Sequence, residues 1–330
     1  QVATSLGVKM AAAWSNFALL EGEVTSLSGT MDAAQMKFEY KKEGEDDSHW
    51  TTVEAISTDN LTFQAKATGL TPNTRYTYHM KYVSEEETLT SESSSFETEG
   101  QPLLPNGKLD DWYKNDKTWY AISQADYQAG NRFWDTSNPG STTGAGALVN
   151  INPTTGNASI VHTAGGQSAE LKSVYASAVG IGKFAAASLY AGQFKALVGT
   201  SGAKIDFGRP FTGARPLKMA GYYKYISMPI THEGTVPGNL TMDRGHIYIK
   251  IWDSAGNLFG YGEQVITETV KEYRHFEFDI KYTDLTAKPA MMTIVATSSQ
   301  YGGEFSGARV CGQVGAGSTL WVDEFELLYE

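Results

Sequence analysis

One short segment of the sequence places a large aromatic ring among polar and turn-forming residues. Between Phe133 and Gly140, Trp134 is accompanied by Asp135 and Asn138. Proteins recognise sugars with a flat aromatic face against the C–H side of the ring, and with carboxylate and amide groups for its hydroxyls. The segment therefore predicts a carbohydrate-binding surface that includes Trp134, Asp135 and Asn138.

Two further tryptophans, Trp119 and Trp252, are the next candidates for this surface. The alternative interpretation is that most of these rings belong to a hydrophobic core, because a large β-sandwich buries many aromatic side chains. A position in a loop or on an open sheet face would distinguish a binding residue from a core residue.

Glycoside hydrolysis is an alternative chemistry for a surface that combines aromatic rings and carboxylates. It needs two carboxyl groups about 5–5.5 Å apart to retain configuration, or about 6.5–9.5 Å apart to invert it. Asp135, Asp253, Glu263 and Glu304 lie in or near aromatic segments and are the candidates. No local motif favours one pair, and the hairpin turn that Asp253 begins explains this residue more simply. We therefore expect a binding protein first and a hydrolase second.

The composition argues against several other classes of protein. The 330 residues carry a net charge of −11 with 26 Lys and Arg, which argues against a nucleic acid or an anionic membrane as partner. No apolar run approaches the ~20 residues of a transmembrane segment. The single Cys311 excludes an internal disulfide, and six scattered histidines argue against zinc or iron. Gln1 is not a start residue, which is compatible with removal of a signal peptide.

The first hundred residues show the alternation of half-buried antiparallel strands. Tyr76, Tyr78, Met80 and Tyr82 alternate with polar residues, and acidic loops separate this segment from similar ones. The segment Leu70–Tyr76 resembles the tyrosine corner of fibronectin type III domains, in which the Tyr hydroxyl bonds to nearby backbone. The resemblance implies a fibronectin III/Ig-like sandwich.

The rest of the chain also has a β pattern. Isoleucines from Ile247 to Ile251 alternate with Tyr248, Lys250 and Trp252, and many short segments of this kind predict one large jelly-roll sandwich. We predict a fibronectin type III-like domain at 1–98, a linker rich in Gly and Pro at 99–105, and a jelly-roll carbohydrate-binding-like domain at 106–330.

Five segments of the second domain, taken together, resemble a known family. They are 106–112, 133–138, 162–171, 298–307 and 320–324. In this order they resemble the "putative carbohydrate metabolism domain" family of Bacteroidetes cell-surface proteins, with Leu109 and Asp110 replacing the Phe and Glu of the opening motif. The resemblance covers about residues 104–330. It implies a galactose-binding-like jelly roll, export to the bacterial surface or periplasm, and a role in polysaccharide handling.

Modules of this general shape also suggest a structural ion. An acid of their opening strand and an Asp of their closing strand often meet around one Ca²⁺. Here these residues are Asp110 and Asp323, with backbone carbonyls near Gly165–Gln167. We expect the closing strand at 319–330 to pair near a strand that begins at Asn106. The alternative is that both carboxylates accept backbone N–H groups.

The sequence thus predicts an all-β protein with two sandwiches that binds a poly- or oligosaccharide. We expect it at the bacterial outer membrane, with or without a lipid anchor, or in the periplasm, alongside other surface glycan-utilisation proteins. The alternatives are a glycoside hydrolase and a structural or adhesion spacer.

Overall fold

Strands account for most of the ordered elements, as the alternation predicted. The computed structural model describes residues 3–178, 181–197, 203–230, 240–302 and 317–330. The chain divides into two units. Unit 1 contains Gln1–Pro102, Gly213–Arg215 and Tyr329–Glu330, and unit 2 contains Leu103–Thr212 and Pro216–Leu328.

Unit 1 is a sandwich of two antiparallel sheets. Its strands are β1 Ala3–Val8, β2 Ala12–Ala13, β3 Ala18–Ser28, β4 Met36–Lys42, β5 Thr51–Glu54, β6 Thr62–Ala67, β7 Arg75–Val83, β8 Thr88–Thr90 and β9 Ser94–Glu97, with 3-10 helices at Ala33–Gln35 and Asp47–His49. One sheet joins β1, β2, β3 and β6, and the other joins β4, β5, β7, β8 and β9. Because β1 and β2 both pair with β3, and β8 and β9 both pair with β7, the nine segments form seven strand positions, as in a fibronectin III/Ig-like sandwich.

The tyrosine corner is present in unit 1. The Tyr76 side chain is buried, and its hydroxyl accepts the N–H of Thr71 at 2.9 Å. Phe38, Tyr78 and Met80 are fully buried beside it in the core between the sheets. The corner therefore fixes the chain between β6 and β7 against this core.

A buried ion pair also belongs to unit 1. Arg215 Nε donates to Glu99 Oε1 at 2.9 Å, Arg215 Nη2 donates to the Ala13 carbonyl at 2.7 Å, and the guanidinium lies 3.9 Å from the centroid of the Trp14 ring. Both residues of the ion pair lie outside the predicted bounds 1–98. Glu99 is one residue beyond the boundary, and Arg215 belongs to a distant segment of unit 1 that sequence patterns do not show.

Unit 2 is a larger β-sandwich. Its strands are β10 Tyr113–Asn115, β11 Thr118–Tyr120, β12 Trp134–Thr136, β13 Thr154–Asn157, β14 Ser168–Lys172, β15 Val174–Ala178, β16 Ile181–Ala185, β17 Ser188–Leu197, β18 Ala203–Phe207, β19 Arg209–Pro210, β20 Lys218–Ile226, β21 Gly245–Trp252, β22 Leu258–Ile266, β23 Val270–Asp279, β24 Lys281–Tyr282, β25 Met291–Thr297 and β26 Thr319–Leu328. The helices are α1 Gln124–Ala129 and 3-10 helices at Asn138–Ser141 and Gly144–Leu148.

Two sheets enclose the core of unit 2. An eight-stranded sheet has the order β12-β17-β25-β21-β22-β24, with β18 paired to β17 and β19 to β25. A five-stranded sheet has the order β13-β14-β26-β20-β23, and the pairs β10-β11 and β15-β16 are separate. Ile247, Ile249 and Ile251 of one sheet and Leu320 and Val322 of the other are fully buried. The period of two in these strands thus separates core-facing from outward-facing side chains.

The segment that begins at Asn106 is not a strand, contrary to the sequence prediction. Asn106 and Leu109 have positive φ angles of 44° and 59°, which strand residues do not adopt. The Asn106 side chain accepts the N–H of Asp111 and closes a turn. The turn still touches the last strand, because the Gly107 carbonyl accepts the N–H of Phe325 at 2.8 Å. The closing strand β26 pairs instead with β14 and β20.

Unit 2 also encloses a carboxylate among serine hydroxyls. Asp243 is 3% exposed, its Oδ2 accepts the Ser299 hydroxyl at 2.6 Å, and its Oδ1 accepts the N–H of Arg244. The Ser299 hydroxyl also lies 2.7 Å from that of Ser173. Burial raises the pKa of Asp243 to about 7, although hydrogen bonds from Ser299 and Ser318 oppose the shift. The folded protein therefore binds a proton here more tightly than the unfolded chain.

We expect Asp243 to make unit 2 less stable as the pH rises. Its folded pKa is raised from 3.8 to about 7, so its contribution to stability is fully present below about pH 4 and is lost as the pH rises through 7. Between pH 5 and 8 the wild type should lose about 2–3 kcal/mol relative to Asp243→Asn. Chemical denaturation at several pH values measures this difference, with exposed Asp206→Asn as the control substitution. Parallel pH profiles for wild type and Asp243→Asn would contradict it.

Candidate functional site

The structure places Trp134, the first predicted sugar-binding residue, in the core. Its ring is 3% exposed, its Nε1 donates to the Pro105 carbonyl at 2.7 Å, and it packs against Phe133 and Phe325. Trp134 pairs with Ala191 on the core side of the eight-stranded sheet. A ring enclosed in this way offers no face to a sugar, so we do not retain it as a binding residue.

The polar neighbours of Trp134 are also buried and occupied. Asp135 accepts the N–H groups of Thr136 and Phe194, and Asn138 bonds both backbone polar groups of Thr154. Burial raises the pKa of Asp135, although these backbone N–H groups oppose the shift. Both side chains thus satisfy buried backbone groups.

Trp119 and Trp252 are half-buried and lie in different places. Trp119 is on the small β10-β11 ribbon, where Lys114 Nζ lies 5.9 Å from its ring centroid. Trp252 ends β21, which is three positions from β12 in the sheet, or about 14 Å at ~4.8 Å per strand. The five predicted residues therefore do not form one surface, and Trp252 is the one that belongs to an aromatic sheet face.

The candidate hydrolytic carboxylates also lie apart. Asp135 on β12 and Glu263 on β22 are four strand positions from each other, or about 19 Å. Asp253 accepts the N–H groups of its own turn. It lies five residues after Tyr248, the residue opposite Glu263 in the ladder, which corresponds to about 16 Å along the strand. Glu304 lies outside the described residues. Asp253 follows β21, which is three strand positions from the β12 strand of Asp135, or about 14 Å. The backbone positions of all three described carboxylates are thus further apart than the ~9.5 Å that hydrolysis requires between carboxyl groups.

The outward side of β21 and β22 carries a group of side chains that we call the tyrosine face. It consists of His246, Tyr248, Lys250, Trp252, Tyr261 and Glu263. The four β21 residues alternate with buried isoleucines and are all half-buried. In the ladder Tyr248 lies opposite Glu263, and Lys250 lies opposite Tyr261. Period-two pairing thus collects three aromatic rings, a carboxylate and an ammonium group on one side of the sheet.

The rings of His246, Tyr248 and Tyr261 are close enough to form one continuous part of the tyrosine face. The centroids of Tyr248 and Tyr261 are 6.4 Å apart with an interplanar angle of 31°, and His246 lies 4.8 Å from Tyr248. Lys250 Nζ is 5.4 Å from the Tyr248 centroid. From Tyr248 to Trp252 the strand spans about 13 Å, which is long enough for more than one sugar unit.

Glu263 holds the polar part of the tyrosine face. Its Oε2 accepts the Tyr261 hydroxyl at 2.7 Å and lies 2.7 Å from His246 Nε2. The Tyr261 hydrogen bond, followed by the contacts with His246, lowers the pKa of Glu263 despite some burial. The carboxylate is therefore ionised at neutral pH and suited to accept hydrogen bonds from sugar hydroxyls.

The outward side of the five-stranded sheet is also aromatic, but its rings are covered. Trp321 is 8% exposed and its Nε1 donates to Glu170 at 2.8 Å. The His162 ring stacks on Tyr222 with centroids 3.5 Å apart, and Glu324 Oε2 lies 2.6 Å from His162 Nδ1. This face packs against its own loop, so the tyrosine face is the better candidate for stacking a ligand.

Asp110 and Asp323 both bond to the loop that includes residues 162–167. The N–H of Gln167 donates to Asp110 Oδ1, and the N–H of His162 donates to Asp323 Oδ2, each at 2.8 Å. Burial of Asp323, with the nearby charges of Glu324 and Asp110, raises its pKa to about 6. The described residues hold no group of three or more His, Cys, Asp or Glu arranged for a metal. The hydrogen-bonded alternative is thus the observed arrangement, and Ca²⁺ stays a prediction.

Comparison with known families assigns the second unit. A family model described as "Putative carbohydrate metabolism domain" matches residues 108–328, more than half of the chain. The chain belongs to this family. The resemblance inferred from five segments is therefore confirmed, and the family gives the protein a carbohydrate-related role. No curated protein matches the sequence.

Several solved structures are similar at low identity. A study of promiscuous carbohydrate-binding modules of the β-sandwich superfamily provides one, with 8% identity, 98% of each chain covered and a TM-score of 0.29. Arabinose-bound MgGH51 α-L-arabinofuranosidase has 12% identity over 69% of this chain and 26% of that chain, with a TM-score of 0.30. The RsgI4 anti-sigma factor sensor domain of Pseudobacteroides cellulosolvens has 16% identity over 29% of this chain and 93% of that chain, with a TM-score of 0.23. Among the described residues, no helix has the length and apolar character needed to cross a membrane.

Removing the indole of Trp134 should destabilise unit 2. Trp134→Ala deletes a core ring and its hydrogen bond to Pro105, so we expect a loss of about 3–5 kcal/mol in the free energy of unfolding. Urea denaturation measures this loss in the free energy of unfolding. Trp119→Ala is the matched control, because it removes an equally large ring that is only half-buried and should cost less. A Trp134→Ala protein of wild-type stability would show that the ring is not a core residue.

The calcium prediction is tested by the response of thermal stability to the ion. If Asp110 and Asp323 bind Ca²⁺ in the folded state, a chelator should lower the melting temperature and added Ca²⁺ should restore it. The Asp323→Asn variant should show neither response. If wild type and variant melt alike with and without chelator, the two carboxylates serve only as acceptors for the loop.

Proposed function

We propose that the protein binds an oligosaccharide or polysaccharide chain on the tyrosine face. The observation that carries the proposal is the alignment of Tyr248, Tyr261 and Trp252 on one side of the eight-stranded sheet, around the ionised Glu263. Membership of a family described by carbohydrate metabolism supports the same conclusion.

The side chains of this face suit the two sides of a sugar ring. The aromatic rings provide flat apolar surfaces for the C–H groups. Glu263 accepts hydrogen bonds from hydroxyls, and Lys250 donates to them. Because such a site lies on a sheet and not in a deep cavity, it removes little ligand surface from water. We therefore expect weak binding, on the order of 10–1000 μM, or ~4–7 kcal/mol.

A glycan array with the full chain, followed by calorimetry on the best ligand, tests the proposal. Tyr248→Ala and Trp252→Ala should each weaken binding at least about tenfold, since each removes stacking of ~1.4 kcal/mol or more. Trp119→Ala is the matched control, because it removes an equally large half-buried ring outside the tyrosine face.

Three outcomes would contradict the proposal. Binding that is unchanged in Tyr248→Ala and Trp252→Ala, with melting temperatures near wild type, would place the site elsewhere. Loss of binding in Trp119→Ala alone would move it to the β10-β11 ribbon. No binding to any glycan, together with release of reducing ends from a polysaccharide, would favour the hydrolase.

We also propose that this binding occurs outside the cytoplasm, at the bacterial cell surface or in the periplasm, alongside other glycan-utilisation proteins. A polysaccharide made outside the cell is too large to enter it intact, so a protein that binds such a chain acts outside the cytoplasm. Fractionation of the producing cells with an antibody to the protein measures its location. Recovery in the cytoplasmic fraction alone would contradict this proposal.

A further inference from the structure

Unit 2 also contains a pocket of about 320 Å³. We call it the arginine pocket, because Arg132 and Arg209 both line it, together with Asn131, Phe133 and Asp126. Its volume is at the lower end of the ~300–1,000 Å³ typical of small-molecule sites. The pocket is therefore of a size for a single small ligand group.

Arg132 is held by aromatic rings. Its guanidinium carbon lies 4.5 Å from the Tyr127 ring centroid and 5.3 Å from that of Tyr120. Stacking of this kind orients the planar guanidinium through cation–π attraction and leaves the N–H groups at its edge available as donors. Within the described part of the chain, no ion pair to a carboxylate is formed by Arg132.

Arg209 contributes a donor that lacks an acceptor. Its Nε donates to the Phe133 carbonyl at 3.2 Å, whereas its buried Nη2 has no hydrogen-bond partner among the described residues. A buried donor left without an acceptor is destabilising, and the Arg209 side chain that carries this donor also lines the arginine pocket.

The carboxylates nearest to the arginines are already occupied. Asp126 within the pocket accepts the Ser123 hydroxyl at 3.1 Å, and its other oxygen lies 3.4 Å from Asn131 Nδ2. Asp135 attracts both guanidiniums, but its oxygens accept backbone N–H groups at 2.8 Å. These hydrogen bonds do not remove the charge of a carboxylate, so Asp126 and Asp135 offset part of the charge of the two guanidiniums. Among the described residues, however, neither carboxylate accepts a hydrogen bond from Arg132 or Arg209.

We propose that the arginine pocket binds the anionic group, carboxylate or sulfate, of an acidic sugar. Planar guanidinium groups match the oxygens of carboxylate and sulfate, and charge-assisted hydrogen bonds of this kind are the strong ones. The anion part of the proposal rests on Arg132 and Arg209 alone. Only the sugar part rests on the proposed function, and neither part depends on the tyrosine face.

Titration of the full chain with galacturonate, a tri-galacturonate, galactose 6-sulfate, neutral galactose and sodium sulfate, followed by calorimetry or NMR, tests the proposal. We expect a uronate or a sulfated sugar to bind. Arg132→Gln and Arg209→Gln should each lower the affinity for this ligand about 10- to 100-fold, as expected for one lost charge-assisted hydrogen bond. Arg132→Lys should restore only part of the affinity, because it keeps the charge but not the planar fork. Arg274→Gln, on the other sheet, is the matched control and should leave the affinity unchanged.

The variants also separate this site from the tyrosine face. Binding of a neutral glycan to the tyrosine face should be unchanged in Arg132→Gln and Arg209→Gln, and anion binding should be unchanged in Tyr248→Ala. Uronates and sulfated sugars that bind equally to wild type and to both folded arginine variants would overturn the proposal. So would binding of inorganic sulfate only, with no acidic sugar bound, or no binding of any anion.

Discussion

The architecture of unit 2 depends on one strand, β26, which follows the other strands of its sheet in the sequence. β26 lies in the middle of the five-stranded sheet and pairs along one edge with β14 and along the other with β20. Both edges of its backbone are therefore bonded to strands that precede it by about 90 residues or more, so the sheet cannot close before β26 is available. Leu320 and Val322 face the core, and Trp321 and Asp323 face outward. One strand thus supports the core and positions a buried carboxylate.

The alternation of apolar and polar residues predicted most of this architecture, because burial on one side of a sheet imposes a period of two. The same pattern carried the signal for the candidate site. Tyr248, Lys250 and Trp252 alternate with buried isoleucines, so their place on one outward face follows from the sequence. The contribution of β22 does not, because only the register puts Glu263 opposite Tyr248. Alternation along a strand predicts on which face of the sheet a side chain lies, but it does not predict which residue lies opposite on the neighbouring strand.

Two predictions failed where a distant contact overrides local context. The turn residues around Trp134 suggested an exposed ring, yet pairing with Ala191, 57 positions later, turns it into the core. The segment at Asn106 suggested a strand, yet its residues close a turn and make one bond to the last strand. Asp110 and Asp323 illustrate the opposite case. Both reach the same loop as expected, but spacing alone cannot say whether backbone N–H groups or an ion holds them.

The two proposed sites recognise ligands through different forces, and ionic strength distinguishes them. Stacking on Tyr248 and Tyr261 depends on apolar contact and changes little with salt. An acidic sugar is repelled by most of a chain with a net charge of −11, so its binding depends on the local field of Arg132 and Arg209. Salt weakens both the repulsion and the exposed part of the attraction, most strongly for charges separated by more than a Debye length of about 8–10 Å. Because the guanidinium contacts are short and partly shielded from solvent, we expect affinity for a single uronate to fall only moderately with salt. A long polyuronate should lose less still, because the same salt relieves its repulsion from the rest of the chain.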